Sequence, residues 1–480
     1  MPNVCAVDSM PRIIIQEINK RLFININDGN KKLQTINFIS SESTQFKIKM
    51  SLENLFRHAT SEEASHRVVV PVKPGNSFAN AVSRSLFMNA SIDYGFVIPD
   101  SDIVIDDHMF TSRECGYTLT RDVLKYGVQG KIAFVIATPS RTWTPAEMVF
   151  RMGLVADSLR EEGAARVIGL MTEYLFARQD RGAHSYNRGE TEEQRVKDRL
   201  KHAGQTVTAR YVAKVLRAGG VDVLAALHIH SGHYQTIAED AEKFLRGQQL
   251  EAFLASYRNW IFSIPPEPLL ARYLQTTDLF ADDDKANKGE GIIFVGPDQS
   301  AFTFVDTLRV MSGYTNAQRA YIIKERLQPN NPDATRGILQ PVGCDTLDYD
   351  GKVAFIADDM IDTAGSLQKA CAYFPKVRKI VIYATHPILA EQAEGRLRDE
   401  RLSDLVVMDT RPSRIADLSS PMKAKTTVLS AGDYAAHALT LIAKGMNPQE
   451  IYAQAFAENP LLFDRFLRVE RSPRHYTRTR

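Results

Sequence analysis

The residues with the clearest chemical potential lie in one short segment, FIADDMIDTAGSL at 355–367. An apolar run typical of a buried strand leads into Asp358 and Asp359, and a third carboxylate follows at Asp362. The turn Thr-Ala-Gly-Ser at 363–366 then opens a segment with helical spacing. Free backbone N–H groups at a helix start bind phosphate, and carboxylates accept hydrogen bonds from sugar hydroxyls. Because ordinary helix capping explains only one of these residues, the segment predicts a site for a phosphorylated sugar.

The elements around this segment alternate regularly from about residue 67 onward. Short β-branched runs predict strands, and the segments between them have the spacing of helices. Strands that alternate with helices imply right-handed βαβ units and parallel sheets, in which ligands bind at the carboxyl ends of the strands. The predicted strands are 67–72, 131–138, 166–171, 221–229, 291–298, 320–327, 352–359, 379–386 and 404–409, and the predicted helices are 144–163, 208–220, 363–374 and 431–445.

A Pro-rich joint, SIPPEPLL at 263–270, divides the alternation into two blocks, so we expect two doubly wound α/β domains. The chain before residue 67 is rich in Ile, Asn, Lys and Ser and reads as an added segment. Residues 182–205 form a polar insert, and 329–337 is predicted to be a mobile loop. The expected division is an N-terminal extension at 1–66, domains at 67–265 and 266–446, and a helical tail with a frayed basic end at 447–480.

The segment at 355–367 resembles the phosphoribosyl-pyrophosphate (PRPP) loop of the type I phosphoribosyltransferase fold. Its wording DDMIDTAGS is similar in particular to the ribose-phosphate pyrophosphokinase (PRPP synthetase) family. The resemblance covers roughly residues 67–446 and implies two tandem doubly wound parallel-sheet domains of the phosphoribosyltransferase type. It further implies that ribose hydroxyls and metal-bound waters contact Asp358, Asp359 and Asp362, and that the 5-phosphate is held by Thr363, Ala364, Gly365 and Ser366.

Two other segments resemble the ATP-binding parts of the same family. YLFARQDRG at 174–182 is similar to the family's ATP-contacting segment. FTSRE at 110–114 stands where the family has a loop that reaches into a neighbouring subunit's ATP site, although Ser112 replaces an acid there. The residues that the resemblance assigns to ATP are Arg178, Gln179, Asp180, Phe110 and Glu114.

Two more segments carry the residues that the resemblance places at the reaction itself. LHIHSGH at 227–233 has a histidine where the family binds magnesium and ATP, and YIIKERL at 321–327 is similar to the start of the family's mobile catalytic loop. The family's acid before the Leu-His pair is Ala226 in this chain. The resemblance implies His228, Lys324 and Arg326 as catalytic residues, and His228, Glu267 and Asp358 as metal contacts.

The three histidines His228, His230 and His233 also match an H-x-H-x-x-H pattern with the ligand type that zinc prefers. By the two-residue period of a strand, His228 and His230 face the same side. Because no cysteine or fourth histidine lies nearby in the sequence, we favour one magnesium-associated histidine, His228, and two ordinary loop histidines.

The resemblance implies an ATP-dependent diphosphotransferase that moves pyrophosphate from ATP to the 1-hydroxyl of ribose 5-phosphate, giving PRPP and AMP for nucleotide biosynthesis. It also implies Mg²⁺ as cofactor and a homo-oligomer, a dimer or a hexamer, in which Phe110 completes a neighbour's adenine pocket. Three alternatives stay open. The same chemistry would act on a 5-substituted ribose such as ADP-ribose for NAD metabolism, or the chain is a non-catalytic regulatory homologue. The third, a phosphoribosyltransferase that consumes PRPP, is disfavoured by ARQDR and the Lys-x-Arg pair.

The composition excludes several other classes of protein. The 480 residues are 44% hydrophobic and 24% charged with a formal net charge of +2, which is typical of a soluble globular protein without a broad basic surface for nucleic acid. No apolar run approaches the roughly 20 residues of a membrane span, and no secretory signal is evident. Four dispersed cysteines favour a cytoplasmic location. The motifs of P-loop kinases, dinucleotide-binding Rossmann sites, H-E-x-x-H metalloproteases and G-x-S-x-G hydrolases are absent.

Overall fold

Two sheets, one in each half of the chain, form the centre of the fold. Helices surround both, and most of the strands run parallel, as the alternation of apolar runs and helical segments predicts. Among the residues described, no helix is long and apolar enough to cross a membrane. The structure, a computed structural model, describes residues 23–26, 34–39, 45–50, 55–56, 67–72, 77–87, 105–109, 115–119, 127–179, 191–201, 203–230, 260–326 and 335–471.

Strands and helices alternate along most of this part of the chain. The strands are β1 Phe23–Ile26, β2 Gln34–Ile39, β3 Gln45–Met50, β4 Arg67–Pro71, β5 Ile105–Met109, β6 Cys115–Leu119, β7 Ile132–Ala137, β8 Arg166–Met171, β9 Val223–Leu227, β10 Ile261–Ile264, β11 Ile292–Gly296, β12 Gln318–Arg326, β13 Thr335–Pro341, β14 Val353–Ile361, β15 Lys379–Pro387, β16 Leu402–Met408, β17 Thr426–Leu429 and β18 Val469–Arg471.

The helices lie between these strands and after them. They are α1 Ser77–Phe87, α2 Pro145–Glu161, α3 Glu192–Lys201, α4 Thr208–Ala218, α5 Glu267–Thr276, α6 Asp282–Ala286, α7 Gln299–Met311, α8 Gly365–Ala372, α9 Ala393–Arg396, α10 Pro412–Ala416, α11 Ser420–Lys425, α12 Gly432–Ala443 and α13 Pro448–Glu458, followed by a 3₁₀ helix at Pro460–Phe466.

The N-terminal sheet consists of parallel strands in the order β10-β9-β8-β7-β4. Its central strands are buried along nearly their whole length, which explains why they read as continuous apolar runs rather than alternating ones. Helix α2 begins with a capping box, because Thr144 Oγ1 accepts from the Glu147 N–H at 3.2 Å while Glu147 Oε2 accepts from the Thr144 N–H at 2.6 Å. The predicted helix over 144–163 is therefore confirmed.

The C-terminal sheet has the order β13-β12-β11-β14-β15-β16-β17-β18. Its interior strands are parallel, whereas β13 and β18 run antiparallel at the two edges. The prediction of a loop over 329–337 is wrong for residues 335–337, which belong to β13 and pair with β12. This edge strand gives hydrogen-bond partners to the outer side of β12, which would otherwise be open.

Several elements were not predicted. The small antiparallel sheet β1-β2-β3 lies in the N-terminal extension, and α3, whose residues are all at least partly exposed, lies in the polar insert. The tail is helical as expected, but its aromatic residues Tyr452 and Phe463 are fully buried, and β18 joins the sheet through β17. The tail thus contributes to the core because its apolar side chains face the same cluster as α12.

One apolar cluster connects the two halves of the chain. It includes Phe134 and Ile168 from the N-terminal sheet together with Phe294 and Phe355 from the C-terminal sheet. Helix α12 packs closely against α1, since a Cβ on Gly432 would lie 2.5 Å from the Cβ of Ala81. The two sheets are therefore held together by shared core packing, which fixes the position of their strand ends.

Candidate active site between the two sheets

The carboxyl ends of the two sheets meet, because residues that follow strands of one sheet contact those of the other. Directly after β8, the Thr172 hydroxyl donates to the Thr410 carbonyl oxygen at 2.8 Å. The ring of His386, on β15, donates from Nε2 to the Leu227 carbonyl oxygen at 3.1 Å. The site that the sequence predicts at the strand ends is therefore a cleft with walls from both halves.

The sugar-phosphate loop, residues 358–366, joins β14 to α8. Ala364 is the N-cap residue of α8, has a left-handed φ of 59°, and offers no side-chain hydrogen bond to the first turn. The alternative to a phosphate site, in which Asp362 or Thr363 is an ordinary N-cap, is therefore wrong. The backbone N–H groups at the start of α8 have no side-chain cap, as a phosphate-binding helix start requires.

A guanidinium that the sequence did not reveal stands beside this helix start. Arg396 Nη1 donates to the Thr363 carbonyl oxygen at 3.2 Å, from a position 33 residues away in the chain. The same Nη1 lies 3.2 Å from the place that a Cβ on Gly365 would occupy. The loop therefore combines backbone donors, hydroxyls and one nearby cation, which together suit a phosphate dianion.

Asp358 and Asp359 are neighbours with opposite electrostatic behaviour. Burial, reinforced by the charge of Asp359, raises the pKa of Asp358 well above its usual range. Burial alone would also raise the pKa of Asp359, but its hydrogen bond to His230 brings that pKa below its usual range. The His230 Nδ1 and Asp359 Oδ2 atoms are 2.5 Å apart. The two adjacent carboxyl groups of the loop thus have pKa values shifted in opposite directions, and both can form hydrogen bonds with sugar hydroxyls.

The histidines at the end of β9 depart from the sequence-based expectation. The strand ends at Leu227, and His228 has a left-handed φ of 41°, so strand alternation does not continue. His230 is not an ordinary loop residue, because it contacts Asp359. His228 Nδ1 lies 2.6 Å from Thr385 Oγ1, and burial lowers the pKa of His228 to about 3. A neutral imidazole can bind a metal ion. His233 lies outside the described residues.

The residues expected to contact metal are only partly assembled. Glu267, at the start of α5, has a buried Oε2 without a hydrogen-bond partner, and burial raises the pKa of Glu267 to about 7. Ala226 is fully buried in the apolar core of the N-terminal half. Among the described residues, no three His, Cys, Asp or Glu side chains group closely enough to hold a metal ion. The predicted set of His228, Glu267 and Asp358 is therefore not a preformed three-ligand site.

Two of the residues assigned to ATP lie on the wall of the cleft. Arg178 Nη1 forms an ion pair with Asp362 Oδ2, so a residue predicted for ATP contacts the sugar-phosphate loop. Gln179 Oε1 accepts from the Thr208 hydroxyl at 2.9 Å, which fixes its amide at the start of α4. The other residues assigned to ATP lie outside the described part of the chain; they are Asp180, Phe110 and Glu114.

Lys324 and Arg326 lie on a strand rather than at the start of a loop. Their backbone belongs to β12, where Lys324 stands opposite Gly337 and Arg326 opposite Thr335 of β13. The predicted strand over 320–327 is therefore confirmed for residues 320–326. In the sheet, β12 borders β11 and β11 borders β14, so both residues lie two strands away from the sugar-phosphate loop.

A cavity of about 620 Å³ opens from the cleft between the ends of β7, β8 and β14–β16. We call it the arginine-walled cavity. Arg178, Gln179 and Asp362 line it, as do residues that the sequence analysis missed because they come from distant segments with no common motif. Their only signal was their place directly after predicted strands. The missed residues are Arg141, Trp143, Glu173, Arg411 and Arg414.

The fold and the cleft together define an α/β protein of the phosphoribosyltransferase type, as the sequence predicts. The structure is similar to the crystal structure of phosphoribosylpyrophosphate synthetase from Mycobacterium smegmatis, with a TM-score of 0.53 and 18% sequence identity over 78% of this chain and 98% of that one. A family model, the phosphoribosyl synthetase-associated domain, matches residues 333–442.

Relatives with the name ribose-phosphate pyrophosphokinase match over a larger part of the chain. The one from Burkholderia pseudomallei is 25% identical over 335 residues, 69% of this chain and 86% of its own length. The one from Marinomonas sp. is 26% identical over 297 residues, 61% of this chain and 76% of its own length. The chain is thus similar to ribose-phosphate pyrophosphokinases over more than half of its length.

Proposed function

We propose that this protein is an ATP-dependent diphosphotransferase that makes PRPP and AMP from ATP and ribose 5-phosphate. The observation that carries the proposal is the sugar-phosphate loop. It has two adjacent carboxyl groups whose pKa values are shifted in opposite directions, followed by a helix start without a side-chain cap. Opposite it stands Arg178 of the other half. These groups match a phosphorylated sugar on one side and a polyphosphate on the other.

In the proposed reaction, the 1-hydroxyl oxygen of the ribose forms a bond to the β-phosphorus of ATP. The bond from that phosphorus to the oxygen bridging to the α-phosphorus breaks, and AMP leaves with the bonding electrons. The proton of the hydroxyl group is released to solvent. Such a transfer needs positioning and charge neutralisation more than covalent catalysis.

The residues of the cleft divide these tasks. Asp358 and Asp359 would hold the ribose hydroxyls, and Asp362 stands beside them. The N–H groups and hydroxyls of 363–366, with Arg396, hold the 5-phosphate. The residues that would hold ATP or neutralise the transferring phosphates are Arg178, Gln179, Lys324 and Arg326.

Magnesium fits this donor set through few protein ligands. Asp358 would supply a hard oxygen ligand, and His228 and Glu267 are further candidates, while ATP phosphates and waters complete the shell. When bound, the ion would neutralise charge on the phosphates. Glu267 Oε2 is buried without a hydrogen-bond partner, so a cation near it would satisfy an otherwise unpaired atom. The ring of His228 is held by Thr385 and stays neutral at physiological pH, which keeps it suited to a metal.

The proposal extends to the chain's organisation. We propose domains at 67–265 and 266–446 between the N-terminal extension and the tail, a homo-oligomer in which Phe110 stacks on a neighbour's adenine, and a cytoplasmic location. Light scattering in solution measures whether the protein is an oligomer. Activity assays of the Phe110→Ala variant test whether Phe110 contributes to the active site. Activity that is retained in a strict monomer would contradict it.

Product analysis tests the proposed activity. The purified full chain is incubated with ATP, Mg²⁺ and each of a panel of ribose phosphates, and AMP is measured by chromatography. AMP that forms with ribose 5-phosphate, and not with the control variant Asp359→Asn, supports the proposal. If none of the ribose phosphates yields AMP, the proposal is contradicted and a non-catalytic regulatory homologue is favoured. The presence of Ala226 in place of an acid also favours that alternative.

A further inference from the structure

In the strand order, β15 and β16, whose ends border the arginine-walled cavity, lie on one side of β14, and β12 lies on the other side. Lys324 and Arg326 lie on β12, two strands away on one side, whereas the cavity lies at the ends of β14, β15 and β16. The residues at 362–363, before the helix start proposed to hold the 5-phosphate, are contacted from the same side of β14 as the cavity. The Ala390 N–H, after β15, donates to the Asp362 carbonyl oxygen at 2.9 Å, and Arg396 donates to the Thr363 carbonyl oxygen. A ribose whose 1-hydroxyl faces β12 therefore presents its 5-phosphate toward the cavity.

The cavity is rich in arginines, three of which form ion pairs: Arg178 with Asp362, Arg411 with Glu173 and Arg141 with Asp417. Contacts between the two halves hold its wall. Its lining contains four arginines and only two carboxylates. Arg411 Nη2 lies 2.9 Å from Glu173 Oε1, which follows β8 in the other half. Arg141, from the loop after β7, donates from Nη2 to the Ser413 carbonyl oxygen at 3.0 Å. Guanidinium groups held in this way are suited to a phosphate ester, since little side-chain freedom is lost on binding.

The cavity also offers aromatic and apolar surface of the kind that a nucleoside needs. Trp143 lines it together with Met148, Met360 and Ile388. Trp143 is itself held in place, because the Arg151 guanidinium carbon lies 4.2 Å from its ring centroid. The volume of about 620 Å³ falls within the range of about 300–1,000 Å³ typical of pockets for whole drug-sized ligands. A ribose phosphate alone does not fill such a space.

We propose that the arginine-walled cavity is an acceptor subsite for a group attached to the 5-phosphate. The inference rests on the proposed function and names a wider substrate class for it. That class is a ribose 5-phosphate joined through its phosphate to a second phosphate and a nucleoside, as in ADP-ribose. The reacting 1-hydroxyl, the attack on the β-phosphorus of ATP and the release of AMP stay the same, so the product is the 1-pyrophosphate of the substituted ribose.

The other occupant to consider is the adenosine of ATP, since Arg178 and Gln179 also line the cavity. The strand order argues against it. The β-phosphate of ATP has to reach the 1-hydroxyl on the side of β12, whereas the arginines at 411 and 414 lie on the side of β16. Arg178, in contact with Asp362, stands at the boundary between the two sides and is available to either substrate.

The test compares two acceptors in wild type, Arg414→Gln and the matched control Arg398→Gln. Arg398 is an exposed arginine outside the cavity. AMP release is measured with ribose 5-phosphate or ADP-ribose as acceptor, at saturating ATP and Mg²⁺. We expect wild type to use ADP-ribose. Arg414→Gln lowers the ratio of kcat/KM for ADP-ribose to that for ribose 5-phosphate by about tenfold, the effect of losing one charged hydrogen bond, whereas Arg398→Gln leaves the ratio unchanged.

Three results would overturn the inference or the function beneath it. Wild type that uses ribose 5-phosphate but not ADP-ribose overturns the acceptor subsite and leaves the proposed function standing. An Arg414→Gln variant whose KM for ATP rises equally with both acceptors assigns the cavity to ATP instead. If no acceptor yields AMP, the proposed function fails. Calorimetric binding of ADP-ribose to the full chain, weakened by Arg414→Gln, then still supports the cavity as a binding site, and no binding overturns it.

Discussion

The two walls of the cleft are built in different ways. The C-terminal wall supplies a contiguous loop at 358–366, in which carboxyl groups and helix N–H groups follow a single strand. The N-terminal wall supplies separate residues after different strands, such as Arg178, His228 and His230, and each is in contact with the other half. The first wall is complete within one strand-to-helix turn, whereas the second exists only when both sheets are in place.

The two walls therefore have different roles: one carries the candidate binding groups, and the other changes the pKa of one of them. The C-terminal loop supplies groups that we propose hold a ribose phosphate, whereas a residue of the N-terminal half lowers the pKa of one of its carboxyl groups. Asp358 and Asp359 are adjacent and both partly buried, and only the one that contacts His230 has its pKa lowered. Substitutions in the two walls should therefore have different kinetic signatures.

The largest effect should come from the C-terminal half at β12. We expect Lys324→Ala to lower kcat by about 10²–10³-fold, the cost of removing one donor that stabilises transition-state charge, with little change in the KM for ATP. Steady-state kinetics measure both constants. The exposed Lys376→Ala serves as control. A Lys324→Ala variant with weakened ATP binding and a normal kcat would show that this residue binds substrate rather than the transition state.

A loss of acceptor binding should follow from a side chain at Gly365. A Cβ there would already lie 3.2 Å from Arg396 Nη1, and the methyl groups of a valine would stand over the N–H groups that hold the phosphate. We expect Gly365→Val to raise the KM for the acceptor by about 100-fold, as expected for the loss of two charged hydrogen bonds. The matched control is Gly395→Val, because nothing lies within 4 Å of a Cβ at Gly395. An unchanged acceptor KM in Gly365→Val would remove the loop from the site.

A smaller effect that depends on pH should follow from His230. In wild type the pKa of Asp359 is lowered, so Asp359 stays ionised until the pH falls below the usual pKa range of an aspartic acid. His230→Ala leaves burial as the main influence, which raises that pKa, so acceptor kcat/KM should begin to fall at a higher pH. At neutral pH we expect a loss of about tenfold, the value of one charge-assisted hydrogen bond.

His230→Asn keeps a hydrogen-bond donor near Asp359 and should restore part of the acceptor kcat/KM. The measurement is the pH profile of kcat/KM for the acceptor in wild type and both variants. A profile in His230→Ala that overlays the wild-type profile would mean that the N-terminal wall does not set the charge of the loop.

The smallest effect concerns the contact that joins the walls. Thr172→Val removes the buried hydrogen bond to the Thr410 carbonyl oxygen and should lower the free energy of unfolding by about 1 kcal/mol. It should leave the kinetic constants unchanged, since Thr172 does not contact the sugar-phosphate loop. Urea denaturation and steady-state kinetics test the two expectations. A large loss of activity with unchanged stability would show that the walls move during turnover.

The same contrast explains what the sequence could predict. The alternation of apolar runs and helical spacing was sufficient for most strands of both sheets but not for β10, β13, β17 and β18. DDMIDTAGS was sufficient for the strand-to-helix loop, because both signals are local in the chain. Arg396, Arg411 and Trp143 had no such signal, since their role depends on which strand ends come together. The first residues of the edge strand β13, 335–337, were predicted as part of a loop, because a strand that pairs on one side only needs no continuous apolar run.

Phosphorus labelling tests the central claim most directly, namely that the cleft moves a pyrophosphate group rather than a single phosphate. ATP with ³²P in its β- and γ-phosphates is incubated with Mg²⁺, ribose 5-phosphate and the full chain, and the products are separated by chromatography and quantified by their radioactivity. We predict that both labels appear together on the 1-position of the ribose, in equal amount to unlabelled AMP. ADP with a single labelled phosphate on the sugar, or no transfer to the sugar, would contradict the account.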